Sequence, residues 1–136
     1  MDPAAAFFAI NWLAVLVATV SAFALGGLWY GPIFGKPWMA LTGVTEEVAA
    51  GRNQGMVFGG AFFLTLLMVL NLAMFIGPEA DVAFGAMAGF FTGAFWIAAM
   101  LGVIYLFEGR PLKLFLIEGG YSVVALTIMG AILGAF

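Results

Sequence analysis

One acidic residue stands inside a long uncharged stretch. Glu118 lies five residues past Lys113, which at about 1.5 Å of rise per helical residue puts it about 7.5 Å further along a helix. A carboxylate at that depth in hydrocarbon is costly unless it is paired, reaches water or holds a proton. The groups expected at the same end of the molecule are Arg110, Lys36, Tyr30, Tyr105 and Tyr121. Two chemistries follow from this set. The cluster is either a proton or cation site, or a buried hydrogen-bonded latch that pins two polar turns to the helices, and the closeness of Glu118 to the interface favours the latch.

At the other end two amides, Asn11 and Asn71, fall at similar depth on antiparallel segments, a spacing that predicts an interhelical clasp contributing roughly 0.6–2 kcal/mol. Trp96, with Thr92 one turn earlier, falls near the middle of its segment and reads as a packing residue rather than part of a ligand box. Other chemistries are excluded by what the chain lacks. With no cysteine and no histidine there are no disulfides, no thiolate or imidazole metal ligands, no Ser-His or Cys-His nucleophile pairs and no imidazole switch. No phosphate-binding glycine loop or metal-ligand spacing is present, and no two acids share a depth within the apolar runs, so neither a cofactor nor an enzymatic reaction is expected. Four basic residues and a net charge of -3 leave no stripe for phosphate contacts, which excludes nucleic acid as a partner.

The elements that must position these residues are membrane helices. The 136 residues are 65% hydrophobic and 8% charged, against about 45–50% and about 25% in soluble domains, and the mean hydropathy is +1.19. About 20 apolar residues cross a bilayer, and four runs qualify: Ala4 to Tyr30, Met56 to Ile76, Val82 to Phe107 and Leu114 to Phe136. Ala22-Phe23-Ala24 has the small-x-small form of a cleavage site. The leading charge is Asp2 rather than a basic residue, however, so the first run is expected to be retained as a span. Gly77-Pro78-Glu79-Ala80-Asp81 predicts a tight turn between the second and third spans, which are then antiparallel neighbours.

All four basic residues fall in two loops: Lys36 and Arg52 in one, Arg110 and Lys113 in the other. The positive-inside rule makes those loops cytoplasmic and both termini external. The expected architecture is a single-domain, all-α integral membrane protein, a four-transmembrane-helix bundle with both termini on the outer side of the inner membrane and a cytoplasmic loop over residues 31–55. Within that loop, Pro37 suits the first turn of a short helix ended by Gly43, and Thr45 caps another beginning at Glu46 and Glu47. Trp38 is expected at headgroup level. The segments Phe34-Gly35-Lys36-Pro37 and Phe107-Glu108-Gly109-Arg110-Pro111, each following a tyrosine, form a weak internal echo.

Membrane helices associate by close approach of small residues. Gly85, Gly89 and Gly93 recur at four-residue intervals, as do Ala14, Ala18, Ala22 and Gly26, and Gly130 and Gly134. Most such stripes pack one bundle together, and one of them, with Gly85, Gly89 and Gly93 the leading choice, is expected to seal a homo-oligomer. Four spans enclose little solvent alone, so a pore would need that oligomer.

Asn11-Trp12-Leu13, Leu28-Trp29-Tyr30-Gly31-Pro32, Phe34-Gly35-Lys36-Pro37-Trp38-Met39, the run LFEGRPLKLFLI from Leu106 and the tail MGAILGAF from Met129 together resemble a bacterial family of small integral membrane proteins, domain of unknown function 1761. The resemblance covers nearly the whole chain. It implies the four-helix membrane fold and carries no activity. Where the family more often has a neutral amide, this chain has Glu118, and since an amide cannot cycle a proton the comparison moves weight towards the latch. The function expected from sequence is a small transport or channel-like module, taking an ion or small solute across the bilayer, with a structural or partner-binding protein as the alternative.

Overall fold

The computed structural model describes residues 2–136. Among them there is no strand, and four helices are long and apolar enough to cross a membrane: Trp12–Ile33, Gln54–Ile76, Val82–Glu108 and Leu112–Ala135. Three of these lie within two residues of the sequence expectation. The first does not begin at Ala4. Pro3–Phe8 forms a separate short helix capped by Asp2, and the chain is extended at Asn11, whose side-chain oxygen accepts the Ala14 N–H at 3.2 Å and starts the long helix there. An asparagine at an N-cap satisfies a backbone donor that would otherwise be orphaned, which explains why an apolar run breaks at that residue.

The fourth helix is the hub. It packs most extensively against the third, then against the first, and also touches the second. The glycine stripe makes the tightest of these seams. A Cβ on Gly85 would lie 2.9 Å from the Gly130 carbonyl carbon, one on Gly89 2.6 Å from the Leu126 carbonyl carbon, and one on Gly93 2.8 Å from the Ser122 carbonyl oxygen. Gly134 returns the contact at the far end against Asp81. The expectation that Gly85, Gly89 and Gly93 seal an oligomer is therefore corrected: that face is filled by the chain's own fourth helix, backbone against backbone.

The second and third helices are joined by the predicted turn, with Asp81 capping the Phe84 N–H at 2.8 Å, but they touch only slightly. One contact is the edge of Phe75 against Trp96 at 6.5 Å. Trp96 is 66% exposed and faces outward. A core of Val15, Ala18, Val69, Leu126 and Met129 fills the space between the first, second and fourth helices.

The connecting segment holds two short helices, Gly35–Thr42 and Glu46–Ala50, as the caps predict. Gly43 ends the first at φ 74°, a left-handed conformation that glycine adopts without strain. Thr45 caps the second through the Val48 N–H at 3.1 Å. The internal echo has no structural counterpart. Gly35 is buried inside a helix, whereas Gly109 is a left-handed cap in a tight turn before Pro111.

Candidate functional site

The segment from Gly26 to Trp38 is shaped by one missing donor. Pro32 has no N–H, so the last turn of the first helix cannot continue in α form and widens over Trp29–Ile33 into a π turn, closed by the Phe34 N–H on the Trp29 carbonyl at 2.8 Å. Gly35 follows at once, and a side chain there would lie 2.6 Å from the Tyr30 carbonyl oxygen. The glycine lets helix Gly35–Thr42 start against that wide turn and lie across the end of the bundle.

Two indoles then point at the fourth helix. The Trp29 Nε1–H donates to the Ile117 carbonyl at 2.8 Å, its ring lying 3.1 Å from where a Gly120 Cβ would be. The Trp38 Nε1–H donates to Glu118 Oε1 at 2.6 Å. From the third helix, the Tyr105 hydroxyl donates to Glu118 Oε2. The Tyr121 hydroxyl donates to the Ala22 carbonyl at 2.8 Å, and the Tyr30 ring sits 5.6 Å from Trp38 and 5.3 Å from Tyr121.

The structure thus brings Glu118, Tyr30, Tyr105 and Tyr121 together, and corrects the rest of the expected cluster. Arg110 pairs with Glu108 at 3.0 Å and lies 5.2 Å from the centre of the Tyr105 ring, so it reaches the carboxylate only through that phenol. Lys36 is exposed and forms no ion pair among the described residues. Trp38, expected at headgroup level, turns its indole N–H to the fourth helix. It is one of the two direct partners of Glu118, and it was missed because interfacial tryptophans are common. The signal available in sequence was that an indole N–H can only donate, and this end of the chain holds a single intramembrane carboxylate to receive it.

The amide clasp is also corrected. Asn11 caps its own helix, and the Asn71 amide donates to the Leu67 carbonyl one turn back at 3.1 Å. Asn71 is exposed on the second helix. Each amide finds its nearest backbone partner before it can reach the other.

Beside Glu118 lies a cleft of about 700 Å³ between the first and second helices. Phe23, Gly27, Phe58 and Leu64 form its apolar walls, while Tyr30, Trp38, Tyr121 and Glu118 line its inner side. Tyr121 and Ala22 separate it from a smaller void of about 110 Å³ reaching Met129. A third, of about 230 Å³, opens at the opposite end around Asn11 and Ala73. The packed layer of Val15, Val69 and Met129 lies between the last two.

Fold and site together define a multi-pass helical membrane protein with a carboxylate-centred aromatic cluster at the end that carries the basic loops. The family comparison agrees with that class. The chain belongs to the family described as Protein of unknown function (DUF1761), whose model matches residues 13–134. No curated protein and no solved structure matches it.

Proposed function

We propose that this is a small transport module of a bacterial inner membrane, with both termini outside, that moves an ion or small solute along the seam between the first, second and fourth helices. The observation that carries the reading is the cleft that ends on Glu118. Further voids continue along the same seam, interrupted by Tyr121 and by the Val15, Val69 and Met129 layer, as expected of a path closed in one resting state. The hydrogen bonds suit a site that changes charge. Trp38 can only donate, so it holds Oε1 as an acceptor, whereas a hydroxyl can donate or accept. With a proton on Oε2, the carboxyl would donate to Tyr105 in place of receiving from it. No enzymatic step, cofactor or nucleic-acid contact is part of this reading.

In reconstituted vesicles carrying a pH gradient, the parent protein is expected to dissipate the gradient faster than empty vesicles, and Glu118→Gln to lose that effect while melting like the parent. The polar groups around the carboxyl are Tyr30, Tyr105 and Tyr121, with Arg110 behind Tyr105. One observation favours a second reading, a structural or partner-binding protein: both carboxylate oxygens accept hydrogen bonds from different segments. Equal leak from parent and empty vesicles would select that alternative.

The chain has no cysteine, which makes placement testable by single substitutions. Cysteines at Asn53 and Phe136 should label from opposite sides with a membrane-impermeant maleimide, Phe136→Cys from outside, and the reverse pattern would invert the topology. The proposed homo-oligomer uses the exposed face of the second helix, where the Asn71 amide oxygen faces lipid without a partner among the described residues. Asn71→Cys should cross-link between copies, and recovery of monomer alone would remove the oligomer.

A further inference from the structure

Glu118 is the one charged side chain lying away from the ends of the four helices, and no cation sits beside it. The single ion pair among the described residues joins Arg110 to Glu108. Each Glu118 oxygen accepts one neutral donor, and a carboxylate offers about four acceptor positions, so acceptor capacity remains. The cleft it borders is otherwise apolar and aromatic. Glu118 is part-buried, and a carboxylate facing such a setting favours an opposite charge. A hard ion such as Mg²⁺ or Ca²⁺ takes about six or more oxygen ligands, and no group of three or more acidic side chains able to hold a metal exists among the described residues. Aromatic faces favour a cation that is large and weakly hydrated. The rings are present: Tyr30, Trp38 and Tyr121 line one side of the cleft, with Tyr30 5.6 Å and 5.3 Å from the other two. A volume of about 700 Å³ suits an organic molecule and exceeds the need of a bare ion.

We propose that the cleft binds a lipophilic organic monocation of the tertiary or quaternary ammonium type, its charge against Glu118 and the three rings, its apolar groups between Phe23 and Phe58. This names the substrate class of the transport site proposed above and rests on that reading for its physiological role, though binding itself does not depend on flux.

The test is equilibrium binding of radiolabelled tetraphenylphosphonium to the full chain in maltoside micelles, with tetraphenylborate as an anion of the same shape. Saturable binding of the cation but not the anion is expected. Glu118→Gln should weaken it at least about tenfold, about 1.4 kcal/mol, with an unchanged melting temperature. Gly27→Leu provides a second variant. Gly27 lines the cleft, and a Cβ there meets nothing within 4 Å, so a leucine fills the cleft without pressing on the fold and should abolish binding. Equal binding of cation and anion, or parent-like affinity in either variant, would overturn the inference. Displacement of the probe by added phosphatidylcholine would assign the site to a lipid headgroup and overturn it as well. Cation binding without uptake into vesicles would leave this inference standing and remove the transport reading; gradient dissipation without cation binding would do the reverse.

Discussion

Gly89→Ala is expected to destabilise the bundle by about 3 kcal/mol, the upper end of what overpacking costs, because the added methyl meets backbone and not a movable side chain. A Cβ there would lie 2.6 Å from the Leu126 carbonyl carbon, closer still to its oxygen, and 3.0 Å from the Thr127 Cα. Relief requires the third and fourth helices to separate along their whole length, since Gly85 meets Gly130 one turn away and Gly93 meets Ser122 on the other side. Close approach is the main attraction available between helices in lipid, where leucine gains nothing from leaving hydrocarbon, so the loss propagates along the seam. Gly59→Ala is the matched control. It sits in the second helix with nothing within 4 Å of an added Cβ, and alanine there should be neutral or stabilise by up to about 1 kcal/mol through helix propensity. Thermal unfolding in mild detergent, followed by circular dichroism, reads both. Equal melting temperatures for the two variants would mean that the seam is not what holds these helices together.

The contrast between those glycines explains how much of the molecule could be read beforehand. Spans are legible because hydropathy over about 20 residues is a property of sequence alone, and caps are legible because Asp81, Thr45 and Gly43 act on their own neighbours within four residues. Which stripe faces which helix is not local. Gly59 and Gly89 look alike in sequence, yet one faces open space and the other a carbonyl, because that depends on the fourth helix forming the hub. The same limit applied to polar groups. Glu118, Tyr105 and Tyr30 could be grouped by depth, but depth alone does not rank partners. Arg110 took the nearer carboxylate of Glu108 at the helix end, where both side chains stay about half exposed and pairing costs less desolvation. Asn11 took a backbone amide three residues ahead. For Arg110 and Asn11 a local partner won over a distant one, whereas Trp38 became the distant partner of Glu118 because Pro32 forced the wide turn that delivers it.

Glu118→Leu is expected to cost about 1–3 kcal/mol and to free the connecting segment, while Glu118→Gln stays near the parent. Leucine removes the acceptor from the Trp38 indole N–H, which can only donate, and from the Tyr105 hydroxyl. Neither donor has a second acceptor in the fold, although both hydrogen bonds are only part-buried, which limits the penalty to that range. Glutamine retains an oxygen for Trp38, and its amide can donate to the Tyr105 oxygen if that hydroxyl reverses, so both connections survive. The two effects separate in a double-mutant cycle. Trp38→Phe keeps the ring against Tyr30 but deletes the N–H, and should cost about 1 kcal/mol in the parent and close to nothing in Glu118→Leu. Hydrogen exchange localises the damage: amides of helix Gly35–Thr42 should lose protection in Glu118→Leu while those of the Gly89 seam keep theirs, because Trp38 is the tie from that helix to the carboxylate. A Glu118→Leu protein as stable and as protected as the parent would show that the carboxylate holds nothing together, which would leave a ligand as the only reason for a charge at that depth.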